Sequence, residues 1–148
     1  MGGEYAMTGL ELRRGLMMAM AGGAQYENGT FTTGTASPFI VNFKKSYSKY
    51  LIYIEMTEES KTAYVNAGED ASRAYAFCGV YPAPIINNGD PSGKSMLSIR
   101  YNPAQNVYRY DYAGLTGQSS NSITIPNNNG QNTLMKGYSY NYYVVEMK

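Results

Sequence analysis

Tyr50-Leu-Ile-Tyr-Ile-Glu-Met56 decides the fold class. Side chains alternate across a strand, so Tyr50, Ile52, Ile54 and Met56 share one face, and an apolar face of this kind belongs against a core. Phe39-Ile-Val-Asn-Phe43 repeats the pattern with Phe39, Val41 and Phe43. From Tyr75 to Tyr81 both faces are apolar, which predicts a strand covered on both sides and makes Cys78 inert packing. Met96–Tyr101 offers Leu97, Ile99 and Tyr101 to the inside, and Val107–Tyr112 offers Tyr108, Tyr110 and Tyr112 against Arg109 and Asp111. The closing strand runs from Tyr138 to Met147, with Tyr138, Tyr140 and Tyr142 on one face and Tyr143, Val145 and Met147 on the other. Shorter candidates at Thr30–Thr35, Thr62–Asn66, Ser122–Ile125 and Thr133–Lys136 bring the total to about eight or nine strands. Turn residues punctuate them throughout, so the expectation is an all-β, jelly-roll-like antiparallel sandwich of two packed sheets over residues 24–148.

Residues 1–23 read differently. Thr8 and Glu11 form a capping box ahead of Leu12, Leu16, Met17 and Met20, and Gly22-Gly23 stops the pattern, which predicts a short N-terminal amphipathic helix. Its apolar run after Arg13-Arg14 is shorter than the roughly 7–15 residues of a signal-peptide core. No stretch reaches the ~20 apolar residues of a membrane span. A helix of this size must bury its stripe on its own domain or on a second copy, and the latter implies a homo-oligomer.

Composition excludes much chemistry. The 148 residues suit one domain, and 12 basic against 11 acidic residues give no general field for nucleic acid or anionic lipid. With no His and one Cys, most nucleophilic triads, His-based metal sites and internal disulfides are ruled out. Gly89-Asp-Pro-Ser-Gly-Lys-Ser95 ends like a phosphate-binding loop but spaces its glycines wrongly and leads into a strand, not a helix. The carboxylates Glu55, Glu58, Glu59, Glu69, Asp70, Asp90 and Asp111 show no spacing that selects a hydrolytic pair. Several have a nearby cation, Lys61, Arg73 or Arg109, and read as solvated pairs. No enzyme activity, cofactor or metal is expected.

The chain is instead rich in neutral contact residues. It holds 16 Tyr and no Trp, and ten of its 13 Asn lie from Asn87 onward. Tyr, Asn, Ser and Gly provide flat amphipathic area and neutral hydrogen bonding, which suits contact surfaces and sugars. The loops Asn87–Gly93, Gly117–Asn121 and Pro126–Gly130 concentrate these residues. The candidate ligand-binding residues are accordingly Asn87, Asn88, Asp90, Asn127, Asn128, Asn129 and Tyr143.

Thr8-Gly-Leu-Glu-Leu-Arg-Arg-Gly-Leu-Met-Met-Ala-Met20 resembles the segment that opens many tail-associated or appendage proteins of phages and prophages of gut Firmicutes. The region with Gly29–Thr33, Phe39–Phe43, Lys44–Tyr50 and an aromatic closing strand is similar in layout to small trimeric virion β-sandwiches and, more distantly, to H-type lectins. Where that lectin pattern carries Trp in its closing strand, this chain has Tyr142 and Tyr143. The resemblance implies a virion-associated, non-enzymatic module made in the bacterial cytoplasm, trimeric, in contact with other virion proteins and binding a host cell-surface glycan. A structural virion protein without sugar affinity is the alternative.

Overall fold

The computed structural model describes residues 24–83 and 95–147. Among these residues nine strands form two antiparallel sheets: β1 (Tyr26–Thr32), β2 (Phe39–Asn42), β3 (Tyr50–Met56), β4 (Ala76–Tyr81), β5 (Ser95–Asn102), β6 (Val107–Gly114), β7 (Gly117–Ser119), β8 (Ser122–Ile125) and β9 (Ser139–Glu146). The large sheet runs β1-β9-β3-β4-β5-β6 and the small one β2-β8-β7. One core lies between them. Val41, Ile123 and Ile125 of the small sheet pack with Tyr50, Ile52, Ile54, Met56, Phe77, Met96, Tyr140 and Val144 of the large one. Burying side chains of this size is the main favourable term of folding, worth about 1.5–3 kcal/mol each before entropy is charged.

The face assigned to Tyr50–Met56 is the core face, with all four residues at 1% exposure or less. On the opposite face of the large sheet, Tyr53 and Val145 form a second small cluster with Leu51, Ala76, Cys78, Tyr143 and Ala24 packed against it. Cys78 is half-buried there, and burial pushes its thiol above the usual range.

Four expectations are corrected. Thr62–Asn66 is not a strand but the second half of α1 (Glu58–Asn66), the helix of the described residues; the predicted N-terminal helix lies outside them. Thr57 caps α1 by accepting from Ser60 N, Glu58 and Glu59 favour its first turn, and Gly68 at φ +87° follows its C-cap, Ala67. Those end signals outweigh the β-branched Thr62 and Val65; Tyr64 alone is buried, edge-on to Tyr138.

On β5 and β6 the faces are the reverse of the expectation. Met96, Ser98 and Ala113 are buried, while Tyr101, Tyr110 and Tyr112 are exposed and Leu97, Ile99 and Tyr108 half-buried. Size is the misleading cue: the small Ala113 and the polar Ser98 hold the inward positions beside Met96, and Ser98 is satisfied there by donating to Asn132 Oδ1. Finally, Thr133–Lys136 makes only an isolated bridge, Leu134 with Asn127, and Gly117–Ser119 pairs as β7 where a loop was expected.

Candidate functional site

The β5–β6 hairpin ends one side of the large sheet, with β6 as an edge strand. Its connection is set by amide chemistry: Asn102 Oδ1 accepts from Ala104 N and Gln105 N, and Asn106 takes φ +53°, a left-handed conformation that Asn tolerates well. Tyr101 Oη closes the turn on Asn106 Oδ1 at 2.7 Å. Eight paired positions from Ser95↔Gly114 to Asn102↔Val107 then fix which side chains share a face.

On the inward face, beyond the buried Met96 and Ala113, the register sets Ser98 opposite Asp111 and Arg100 opposite Arg109. These four, with Tyr75, Tyr110, Gln131 and Asn132, line a polar pocket of about 230 Å³. The pocket is small beside drug-sized sites, with room for one compact ligand group. Asn132, at φ +58°, is its best-fixed member. Its Oδ1 accepts from Ser98 Oγ at 2.6 Å and its Nδ2 donates to Asp111 Oδ2 at 3.2 Å. Asp111 Oδ1 accepts from Tyr112 N at 2.8 Å, so the carboxylate is oriented by its neighbours. Arg109 donates from Nη2 to Gln105 at 3.3 Å. Beside the pocket, the 3-10 turn Ala71–Arg73 carries Arg73, and Asp70 caps it. Hydrogen bonds from Ser72 hold the Asp70 carboxyl below its usual value, with smaller contributions from Arg73 and Arg100.

On the outward face the same hairpin carries Leu97 opposite Tyr112, Ile99 opposite Tyr110 and Tyr101 opposite Tyr108. Tyr110 and Tyr112 are 61% and 52% exposed, and the Tyr101 and Tyr108 rings lie 4.9 Å apart. The cross-strand register continues from Tyr112 through Leu97, Cys78 and Tyr53 to Tyr143. One edge strand thus borders a polar pocket on one side and an aromatic row on the other.

The residues singled out from sequence fall unevenly on this site. Asn87, Asn88 and Asp90 lie outside the described residues. Asn127 is fully buried, its Nδ2 donating to Gly34 O and Ala36 O, so it holds two loops together and faces no ligand. Asn128 accepts from Gly130 N, and Asn129, at φ +60°, accepts from Lys136 N; both side chains shape the turn, though both residues are exposed. Tyr143 is half-buried against Tyr53 on the outward face. The asparagine-rich loop does reach the pocket, but through Gln131 and Asn132. The arginine pair is not legible in the sequence because its proximity depends on the register of two strands, which the alternation pattern fixes only once the turn at Asn102–Asn106 is placed.

Other candidates are quieter. A second, more open groove of about 440 Å³ runs between β1 and β2, lined by Phe31, Phe39, Phe43, Tyr142 and Lys44 among others. Among the described residues no three His, Cys, Asp or Glu side chains converge as a metal site would require, and no helix is long and apolar enough to cross a membrane. Comparison with protein-family models, with curated proteins and with solved structures returns no match.

Proposed function

We propose that the protein is a non-enzymatic binding module that takes a saccharide on the β5–β6 edge. The observation that carries this reading is the exposure of Tyr110 and Tyr112 at 61% and 52% on the same strand whose other face borders a polar pocket. Tyr110, unlike Tyr112, also lines the pocket, and an uncovered ring bordering fixed neutral hydrogen-bonding groups suits a pyranose, whose C–H face stacks on a ring while its hydroxyls pair with amides and hydroxyls. Ser98, Gln131 and Asn132 supply such groups. The resemblance of residues 8–20 to the opening of phage and prophage tail proteins supplies the setting: a virion-associated trimer on a cell-surface glycan, where several weak sites act together. The pairing of first strand with last, β1 with β9, and of β2 with β8 supports a jelly-roll-like reading of the sandwich.

The test is retention of the purified chain on bacterial cell-wall polysaccharides, with Tyr110→Ala/Tyr112→Ala as the comparison. Saturable retention that falls about tenfold in the double variant is expected, since loss of ring contacts worth about 1.4 kcal/mol is a factor of ten. Equal retention of both proteins refutes the reading.

A second reading draws on the same tyrosines. Continuous with Leu97 and Ile99, they form an apolar strip of the kind buried between protein subunits, as in a structural virion protein. It predicts a stable oligomer whose mass drops in the double variant, and no affinity for any polysaccharide.

A further inference from the structure

We infer that the pocket between Arg100, Arg109 and Asn132 selects saccharides that carry a carboxylate, of the uronic-acid type, over neutral ones; this rests on the saccharide reading above. The antiparallel register sets the two arginines directly opposite each other on one face. Like charges so placed repel, and a sequence keeps them at a cost to its own sheet. Asp70 and Asp111 offset that repulsion only in part, since among the described residues neither forms an ion pair with the two arginines. Among the described residues the ion pair is Lys61 with Glu58, far along the chain, and Arg100 donates no hydrogen bond there. Asp111 spends its oxygens on Tyr112 N and Asn132, and Asp70 accepts from Ser72.

A bound anion would satisfy both guanidinium groups, whose planar forks match a carboxylate in a two-point contact. The charge balance narrows the class. Arg73, Arg100 and Arg109 against Asp70 and Asp111 leave one net positive charge around the pocket, which suits a monoanion, while the two aspartates repel a phosphate dianion. The volume of about 230 Å³ and the neutral lining of Ser98, Gln131 and Asn132 suit the hydroxyls of a single ring attached to that carboxylate.

The experiment is calorimetric titration of the full chain with glucuronate-containing and matched glucose-containing oligosaccharides, and with acetate and inorganic phosphate, at low and high salt. The acidic oligosaccharide is expected to bind about tenfold more tightly than the neutral one, with the advantage shrinking in salt. Arg109→Gln and Arg100→Gln should each bring the acidic-to-neutral ratio close to one, and Arg109→Lys, which keeps the charge without the fork, should retain only part of it. Melting curves of each variant certify the fold, and removing one of two repelling charges should not lower them. Equal affinity of the native chain for both oligosaccharides overturns the selectivity and leaves saccharide binding standing. Acetate or phosphate bound as tightly as the acidic oligosaccharide overturns it too, by making the pocket a plain anion site. No binding of either oligosaccharide refutes the saccharide reading, and this inference with it.

Discussion

Tyr142 Oη donates to Glu27 Oε2 at 2.6 Å in the interior of the sandwich. Glu27 is 6% exposed, and its other contacts come from Tyr47 Oη at 3.1 Å and from the backbone N–H groups of Lys44 and Lys45. Burial alone would push this carboxyl up; the hydrogen bonds from Tyr142, Lys44, Lys45 and Tyr47 outweigh it and hold the carboxyl below its ordinary value of 4.5. One side chain therefore ties β1, β9 and the turn after β2 together.

The stability this network contributes follows from its sign. A carboxylate whose folded value lies below its unfolded one contributes fully above the unfolded value and loses that contribution as pH falls through the folded one. Tyr142→Phe should cost about 2 kcal/mol near neutrality, the scale of a hydrogen bond to a charged group, and Glu27→Gln more, because an amide cannot accept from all four donors. Denaturant melts at neutral pH and at pH below 4.5 check both. The deficit of Tyr142→Phe should narrow in acid, and a deficit constant with pH would show that Glu27 is not ionised in the native state.

Gly29 sits directly opposite Tyr142 on β1, and an added Cβ there would meet the Tyr142 ring at 2.6 Å. That ring is pinned by Glu27 and packed on Phe43, so it cannot swing away. Gly29→Ala should therefore cost about 1–3 kcal/mol as an overpacked site. At Gly79 the nearest atoms belong to the flexible Met96 side chain, at 3.0 Å, and Gly79→Ala should cost clearly less. Paired thermal melts of the two variants decide the order.

The strands were legible wherever alternation matched burial. Tyr50–Met56 has the bounds and the inward face read from sequence. Legibility failed where a local signal competed with a global one. In Thr57–Asn66 the capping of both ends was the better guide than β-branched composition. On β6 the aromatic residues read as core because large side chains usually are, yet the sheet edge leaves Tyr110 and Tyr112 uncovered. The surplus of Asn had two sources that composition cannot separate. Asn106, Asn129 and Asn132 occupy left-handed positions and Asn127 braces loops, so part of a pattern that read as recognition surface is backbone chemistry.

The three consecutive asparagines therefore separate in a mutational series. Asn127→Ala removes the donors to Gly34 O and Ala36 O inside the protein and should cost about 2 kcal/mol. Asn128→Ala, at an exposed position, should stay within about 0.5 kcal/mol of the native chain. Asn129, at φ +60°, should accept Gly with little loss and Ala only with a penalty of about 1 kcal/mol or more. Chemical denaturation of the four variants checks the ranking, and equal stabilities of Asn127→Ala and Asn128→Ala would contradict the bracing role of Asn127.

At high pH the interior tyrosines are the weak point. Burial is the main cause that raises Tyr47, Tyr50, Tyr140 and Tyr142 well above the ordinary value of 10.0, and the neighbouring Glu27 carboxylate adds to it for Tyr47 and Tyr142. A phenol whose folded value is raised contributes stability that is whole below its unfolded value and is lost as pH rises through the folded one. These four rings should ionise only as the sandwich opens. Phenolate absorbance followed above pH 10.0 should rise in two stages, the second coinciding with loss of the near-ultraviolet circular dichroism of the packed rings. Tyr140 gives the sharpest check, since its Oη accepts from Met135 N at 2.9 Å in the core. Tyr140→Phe should remove one phenol from the second stage, and orphaning that N–H should lower the stability at neutral pH by about 1–3 kcal/mol. A second stage of unchanged amplitude would place Tyr140 among the freely titrating rings and contradict its burial.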